Sequence, residues 1–288
     1  MKKVYTVLVT YNADIEEVSN TIEKLQKQTD KIVVCNNSEC DIFFDDDSIK
    51  VLNFGENLGI AQAQSIGMEW SFKNGADFVL QMDQDSIPDV DLVKELLNCY
   101  FELSESGYKV GLVGSQDFDK DTMKKSEPRL NKGKKTKNKN YLLVDSILSS
   151  GSLIPHSTYM KVGGMDDGLF IDAVDFEYCW RIYSFGLVVV KNKKALIAHK
   201  LGDGKKRILF FVDVGIPSPI RHYYAFRNTI LLFRRSYVPN TWKIISFIKI
   251  MFKLIIYPFF LDNGVKRLRF MVMGIKDGLL CRDGVIKK

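Results

Sequence analysis

The sequence lacks the features that mark several common classes of protein. Its 5 cysteines are odd in number and show no metal-ligand spacing, which indicates reduced thiols rather than a disulfide framework. No uninterrupted apolar stretch is long enough to predict a membrane span, because the nearest candidate, residues 242–260, is broken by Lys243, Lys249 and Lys253. The N-terminus shows no secretory cleavage pattern, and no internal repeat is visible. We therefore expect a cytoplasmic globular protein.

The composition is that of a chain with a buried core and a basic surface. Of its 288 residues, 46% are hydrophobic and 26% charged, and the formal net charge is +6. Lysine and arginine concentrate in residues 120–139 and in the C-terminal third, and such a surface attracts nucleic acid or anionic lipid head groups. Because residues 120–139 contain no aromatic side chains and no RNA- or DNA-binding motif is present, we expect no nucleic-acid partner.

Strand and helix patterns alternate through the first half of the chain. We predict strands at residues 4–10, 31–35, 50–53, 77–82 and 110–115, and helices at residues 14–28, 60–73 and 90–103. This alternation predicts an α/β fold with a mostly parallel sheet that has helices on both faces. Such sheets bind ligands at the carboxyl ends of their strands.

The second half follows a different pattern. Residues 120–140 predict a polar surface loop, residues 141–155 strands, and residues 174–185 a helix that ends at Gly186. Short strands are predicted at residues 187–190 and 195–199, and the pattern is helical from residue 220 onward. We expect a catalytic α/β domain over residues 1–217 and a basic, amphipathic helical segment over residues 218–288.

One group of carboxylates follows a strand. Asp83 and Asp85 come directly after the apolar run of residues 77–82, where they could serve only to cap the strand and start a turn. Two acids one residue apart at a strand end also suit a hard divalent cation, which in turn can bind a diphosphate. We favour the cation site, because the motif follows a continuous apolar strand.

A second group of carboxylates begins a predicted helix. Asp172, Asp175 and Glu177 crowd a short apolar segment, and Asp175 could simply favour the positive end of the helix dipole. Crowded carboxylates repel one another unless a cation or substrate compensates. We therefore predict that Asp175 is a general base, and that Arg181 pairs with Glu177 at i+4 to hold the helix start. The two groups together indicate transfer of a group from a nucleotide diphosphate to a hydroxyl.

Two further motifs have both a structural and a functional interpretation. His199 closes an apolar run and is either a satisfied partly buried side chain or a metal ligand. Gly59, two residues after Asn57, either serves backbone geometry alone or opens a helix whose N-terminus binds the diphosphate.

With these residues in place, the chain resembles the inverting glycosyltransferases of family 2, which have the GT-A fold, and within them the bacterial rhamnosyltransferases that build surface polysaccharides. The resemblance extends over roughly residues 1–235. It is carried by residues 9–12, 36–38, 57–64, 83–86, 150–152, 163–166, 170–175, Glu177, Arg181, His199 and 221–228. One departure is Val174, which precedes Asp175 where many members have glutamate.

The resemblance assigns roles to individual residues. It implies that Asp175 is the base, that Asp172, Glu177 and Arg181 support it, and that Mn²⁺ or Mg²⁺ is bound by Asp83, Asp85 and His199. It implies nucleotide-sugar contacts from Thr10, Tyr11, Asn12, Asn36, Asn37, Asn57, Gly59, Gln64, Asp83, Gln84, Ser150 and Gly151.

The resemblance also implies the reaction. We expect transfer of L-rhamnose from dTDP-L-rhamnose to a hydroxyl of a lipid-linked glycan, at the inner face of the cell membrane. Residues 242–260 either pack on the catalytic domain or lie at the membrane interface, and their lysines and aromatic residues favour the interface. A UDP-hexose or UDP-galactofuranose donor, a non-catalytic membrane-bound scaffold, and homo-oligomerisation remain open.

Overall fold

The structure is a computed structural model that describes residues 2–119, 133–199, 205–208, 212–215 and 217–286. For residues 119, 199, 205–208 and 212–215 the backbone alone is described. The strands are β1 Val4–Thr10, β2 Lys31–Asn36, β3 Ile49–Asn53, β4 Phe78–Asp83, β5 Ser86–Pro88, β6 Val110–Asp119, β7 Lys134–Lys135, β8 Tyr141–Leu143, β9 Ser152–Pro155, β10 Val188–His199, β11 Lys205–Ile208 and β12 Val212–Gly215. The helices are α1 Ile15–Gln26, α2 Ile60–Lys73, α3 Leu92–Glu105, α4 His156–Val162, α5 Val174–Ser184, α6 Pro219–Phe233, α7 Asn240–Phe260 and α8 Gly264–Leu279, with a 3-10 turn at Asp167–Leu169.

Ten strands of the described chain form one sheet in the order β3-β2-β1-β4-β9-β6-β10-β8-β7, with β5 paired to β10. Strands β3, β2, β1 and β4 run parallel, as does the β6–β10 pair, whereas β9 is antiparallel to both of its neighbours. The carboxyl ends of β1, β2 and β4 therefore meet at one edge, which is where a ligand site is expected.

Side-chain alternation along each strand divides the core into two layers. On β1, Val7 and Val9 belong to a core that α2, α4 and α5 cover, and Val4 and Leu8 belong to a core that α1 and α3 cover. By the same alternation, Asp83 projects to the same face as Val79, which is the face covered by α2 and α5.

The predicted strands and helices of the first half are all present, and Asp14 caps α1 by accepting a 2.8 Å hydrogen bond from the Glu16 amide. Two predictions for the second half were wrong in detail. The two short strands predicted at residues 187–190 and 195–199 form one strand, β10, whose register shifts between Lys191 and Leu196. The predicted loop over residues 120–140 contains β7, which pairs with β8, while residues 120–132 lie outside the described chain.

Helices α6, α7 and α8 follow the sheet. Helix α6 packs closely on α8, where a Cβ at Gly278 would lie 2.7 Å from the Cβ of Ile230. On its other side, α6 contacts the α/β part of the molecule, where the rings of Tyr224 and Phe170 stack at 4.7 Å between centroids. Among the helices that the structure describes, none has the length and apolar character needed to span a membrane.

Candidate active site

The carboxyl ends of β1 and β4 are joined by polar contacts. Gln84 accepts a 2.6 Å hydrogen bond from the Tyr11 amide and donates one of 3.3 Å to the Tyr11 carbonyl. The buried hydroxyl of Thr10 lies 3.5 Å from the Asn36 side-chain oxygen at the end of β2. Asn12 has a left-handed φ of 46°, and its amide donates to the Ser38 hydroxyl at 2.8 Å. Chain turns at three strand ends therefore form one polar surface.

The start of α2 completes this surface. Asn37 donates to the Asn57 side-chain oxygen at 3.1 Å, and accepts from the Leu58 amide at 2.7 Å. Gly59 has a φ of 84°, and a Cβ there would lie 2.7 Å from the Phe170 carbonyl oxygen. Glycine is thus required both for its backbone conformation and for the close approach of Phe170.

Small residues before β9 lie beside the acidic motif. Ser150 donates to the Ser86 hydroxyl at 2.8 Å and accepts from the Asp83 amide at 3.1 Å. Gly151, with a φ of 75°, donates its amide to the Gln81 carbonyl at 2.8 Å, and Gln64 of α2 reaches Ser149 at 3.2 Å. Predicted donor-binding residues from β4, α2 and the 149–151 turn therefore meet around Asp83.

The predicted metal ligands are only partly described. Asp83 is partly buried and Asp85 is exposed. The β10–β5 register pairs His199 with Ser86, so the backbone of His199 lies beside the acidic motif. Among the side chains that the structure describes, no three metal-binding groups converge, and the His199 imidazole is outside that set.

Asp175 lies in the first turn of α5, where one oxygen accepts a 2.9 Å hydrogen bond from the Phe176 amide. Burial is the main cause that raises the pKa of Asp175 to about 7, with a contribution from the negative charges of Asp83 and Asp172 and against the lowering effect of that hydrogen bond. The second group of carboxylates therefore lies close enough to the first for their charges to interact, and a carboxylate with a shifted pKa is a candidate for a functional role.

The loop that leads to Asp175, residues 166–173, has an unusual backbone. Phe170, Asp172 and Ala173 have positive φ values of 63°, 70° and 64°. Asp172 pairs with Arg221 of α6, with 3.0 Å between the side-chain oxygen and nitrogen. Asn228 of α6 donates to carbonyl oxygens of the same loop, including that of Asp172 at 2.9 Å.

Glu177 is fully buried and is the centre of a second network. Arg181 donates to it with Nε at 2.8 Å and Nη2 at 2.9 Å, as the i+4 spacing predicts. Tyr237 donates at 2.6 Å and Arg235 at 3.2 Å, and Arg235 also pairs with Asp166. Burial and the carboxylate raise the pKa of the Tyr237 hydroxyl to about 12. Through Arg235 and Tyr237, this network connects the start of α5 to the chain that follows α6.

Arg181 also contacts the end of α4 and the chain that follows it. It donates to the carbonyl oxygens of Val162 at 2.6 Å and Gly164 at 2.8 Å. The sequence alone assigns no role in the site to Arg227, Asn228 or Arg235. The resemblance includes residues 221–228, but contacts between residues more than fifty positions apart leave no local pattern that would reveal their role.

Comparison with known proteins gives consistent similarities. The family model for Glycosyl transferase family 2 matches residues 5–154. The dTDP-rhamnosyl transferase RfbF of Shigella flexneri is 29% identical over 291 residues, which cover 96% of this chain and 95% of that protein.

Two solved structures share the fold. GalNAc-T7 with UDP, GalNAc and Mn²⁺ aligns with a TM-score of 0.52 and 16% identity, over 69% of this chain and 44% of that chain. S. aureus TarS aligns with a TM-score of 0.54 and 13% identity, over 86% of this chain and 42% of that one. This chain thus spans less than half the length of either structure.

Proposed function

The chain belongs to glycosyl transferase family 2, and from that premise we propose that it transfers L-rhamnose from dTDP-L-rhamnose to a hydroxyl of a lipid-linked glycan. It is a glycosyltransferase with a GT-A type fold. The observation that carries the proposed reaction is the partly buried Asp175, which lies close enough to Asp83 at the end of β4 for that charge to raise its pKa. The rhamnosyl donor is supported by the name and nearly full-length coverage of the Shigella flexneri relative.

The donor would bind along the surface formed by Thr10, Tyr11, Asn36, Asn37 and the start of α2. Backbone amides and side-chain amides at these strand ends suit a nucleoside, and the N-terminus of α2 suits phosphate oxygens. Asn12, Gln64, Ser150 and Gly151 would complete the contacts near the sugar.

The acidic residues fit a divalent cation. Asp83, Asp85 and, by its backbone position, His199 offer the oxygen and nitrogen ligands that Mg²⁺ or Mn²⁺ accepts. The concentration of negative charge around Asp83, Asp172 and Asp175, which raises the pKa of Asp175, is also expected of a site that takes up a cation. When bound, the cation would neutralise charge on the departing diphosphate as a Lewis acid.

Asp175 would accept the proton of the acceptor hydroxyl. The hydroxyl oxygen forms a bond to the anomeric carbon as the bond from that carbon to the diphosphate breaks, and attack from the opposite face inverts the configuration. Burial is the main cause of the raised pKa of Asp175, and a buried carboxylate is a stronger base for this proton transfer than a solvated one. Glu177 and Arg181 would keep α5, and hence Asp175, in place.

The helical segment of residues 218–288 would bring the enzyme to a membrane that carries the acceptor. Helix α7 exposes Ile244, Ile248, Ile255 and Phe259, which recur at helical spacing along one side. Helix α8 exposes Val265, Leu268 and Val272. Lysines at positions 249 and 266 are exposed beside these apolar residues, a combination that favours an anionic membrane surface.

The first test is calorimetric titration with dTDP-L-rhamnose, UDP-glucose, UDP-galactose and UDP-galactofuranose, each with Mn²⁺, Mg²⁺ or EDTA. We expect metal-dependent binding of dTDP-L-rhamnose that is lost in Asp85→Ala, and unchanged donor binding in Asp175→Asn. Binding of a UDP-sugar in place of dTDP-L-rhamnose would contradict the proposed donor but not the proposed glycosyl transfer. Absence of nucleotide-sugar binding under every condition would favour the scaffold alternative.

A second test concerns the membrane. Vesicles with anionic phospholipid should sediment the wild-type protein, and Phe259→Glu should reduce the bound fraction, with Phe43→Glu as the control because Phe43 is equally exposed, at 79% against 82%. Equal binding of both variants would contradict the proposed membrane surface.

A further inference from the structure

We propose that Arg227 and Asn228 of α6 are positioning residues for transfer, because they fix the backbone of the 166–173 loop that sets the place of Asp175. The inference rests on the proposed role of Asp175 as the base. It gives α6 a function in the reaction as well as in the packing of the C-terminal helices.

The 166–173 loop does not favour its own conformation. Phe170, Asp172 and Ala173 have left-handed φ values although none is glycine. Side chains with a Cβ are disfavoured there by roughly 1–2 kcal/mol per residue, and neither phenylalanine nor alanine has a polar side chain that could stabilise the backbone locally. The conformation therefore depends on contacts from elsewhere in the molecule.

Asn228 supplies such contacts. Its side-chain nitrogen lies 2.9 Å from the Leu169 carbonyl oxygen, 2.7 Å from that of Ile171 and 2.9 Å from that of Asp172. The side chain is 1% exposed, so replacing it by a methyl group would remove a buried donor from all three carbonyl groups at once. The Asn228 side-chain amide thus donates to three backbone carbonyl groups in the segment where φ is positive.

Arg227 extends the contact and orients the amide. Its Nη2 donates to the carbonyl oxygens of Gly168 at 2.9 Å and Leu169 at 3.1 Å, and its Nη1 donates to that of Gly284. Its Nε donates to the Asn228 side-chain oxygen at 3.1 Å. Since a guanidinium can only donate, this contact fixes which end of the Asn228 amide accepts and turns its NH₂ group to the loop.

The environment of Arg227 indicates that these carbonyl contacts are its main role. The side chain is fully buried, with its guanidinium carbon 5.0 Å from the Tyr224 ring centroid. Within the described chain, no carboxylate lies within ion-pair distance of it. Burial of a cation is costly, and here backbone carbonyl groups are what compensates it.

The loop also contacts α2, whose start carries predicted donor-binding residues. The Phe170 carbonyl oxygen accepts a 3.3 Å hydrogen bond from the Ala61 amide in α2, and three residues after the Asp172 carbonyl the chain reaches Asp175. A shift in this loop would move the carboxylate relative to the donor, and a misplacement of about 1 Å can cost roughly 100-fold in rate.

The test compares Asn228→Ala, Asn228→Asp, Arg227→Lys and Arg227→Met with Arg267→Met. Arg267 is the matched control, since it is also a buried arginine of the C-terminal helices, but it donates to the carbonyl groups of Asp262 and Pro217 rather than to the loop. The assay is release of dTDP from dTDP-L-rhamnose with water as the acceptor, at temperatures well below each Tm. Donor affinity is measured separately by calorimetry.

We expect Asn228→Ala and Asn228→Asp to lower kcat by about 10- to 100-fold while donor Kd stays within about threefold of wild type. Arg227→Lys, which keeps a cation with fewer donors, should retain more activity than Arg227→Met. Arg267→Met should lower Tm and leave kcat within about twofold. Amide hydrogen exchange of residues 168–173 should become faster in Asn228→Ala and stay unchanged in Arg267→Met.

Two outcomes separate the possible failures. If Asp175→Asn abolishes turnover but Asn228→Ala has the kcat of Arg267→Met, or if loop exchange is unchanged in Asn228→Ala, the positioning role is overturned and the base stands. If Asp175→Asn keeps full turnover, the proposed base is wrong, and the positioning role fails with it whatever the exchange rates show.

Discussion

The two walls of the candidate active site are built in different ways. The wall proposed to bind the donor, called the donor wall, is formed by the ends of β1, β2 and β4 and the start of α2, and is held by contacts among neighbouring turns, such as Tyr11 with Gln84 and Asn37 with Asn57. The opposite wall, formed by the 166–173 loop and the start of α5, is held by side chains from α6 and from the chain after it. The donor wall is thus a property of the α/β fold, whereas the wall that carries Asp175 depends on the C-terminal helices.

The largest expected effect is on the second wall. Asp175→Asn removes the proton acceptor but keeps the shape of the side chain, and general-base catalysis of this kind is worth roughly 10²–10⁴-fold. We expect kcat to fall by that amount with little change in donor Kd. A kcat within a few fold of wild type would contradict the role of Asp175 as the base.

Removal of Glu177 should be the most damaging change to stability in that wall. In Glu177→Ala, the guanidinium groups of Arg181 and Arg235 lose a fully buried partner, and breaking such a pair costs about 3–5 kcal/mol. We expect a fall of this order in the urea-unfolding free energy. Glu23→Ala is the control, since the Glu23–Lys27 pair is exposed and solvent-screened and should contribute little to the unfolding free energy. Equal losses in the two variants would contradict the importance of the Glu177 network.

A methyl group added at Gly59 should disturb the contact between the two walls. Gly59→Ala places a Cβ within 2.7 Å of the Phe170 carbonyl oxygen, at a φ of 84° that alanine disfavours. We expect a loss of about 1–3 kcal/mol in stability and weaker nucleotide binding by calorimetry. Gly55→Ala is the matched control, because Gly55 has a φ of 70° but no atom within 4 Å of its Cβ position. The same donor Kd in both variants would show that the walls are independent.

A smaller, pH-dependent effect is expected in the C-terminal helices. Burial lowers the pKa of His222 to about 4, helped by the charges of Arg267 and Lys253, and Arg267 Nη1 donates to His222 Nε2 at 2.8 Å. Tyr257 packs its ring against the imidazole. His222 therefore stays neutral in the folded protein, while the unfolded chain takes up a proton below its ordinary pKa of 6.5.

The contribution of His222 is fully present above pH 6.5 and is lost as the pH falls toward 4. We expect the unfolding free energy to decline by about 1–3 kcal/mol more over this interval in the wild type than in His222→Gln. Urea unfolding at several pH values measures the difference. The same pH dependence of the unfolding free energy in both proteins would contradict a lowered pKa for His222.

The donor wall was largely predictable from sequence because its signals are local. A continuous apolar strand before Asp83, and Asn57 with Gly59 before a helical pattern, each lie within one element and its turn. The prediction of helix α2 at residues 60–73 matched the structure, since Gly59 fixes where the helix begins. Strand β10 was predicted as two pieces because polar residues interrupt its apolar pattern at the register shift, where the Lys194 amide donates to the Asn192 side chain at 2.9 Å.

The second wall was predictable only in part. Asp175 and the Glu177–Arg181 pair have helical spacing, so the sequence indicated them, and the pair is present at 2.8 Å. Asn228 and Arg235 act on residues 56 to 69 positions away, and their local sequence does not reveal whether each side chain turns to solvent or to a buried loop. The metal-binding role of His199 stays a prediction.

The absence of a side chain at residue 59 also sets a dimension of the molecule. Phe170 rests directly on the backbone at that position, with its ring atom Cδ2 2.5 Å from where a Cβ would stand. The two walls consequently approach as closely as that contact allows, and a side chain at position 59 would push the 166–173 loop away from the start of α2.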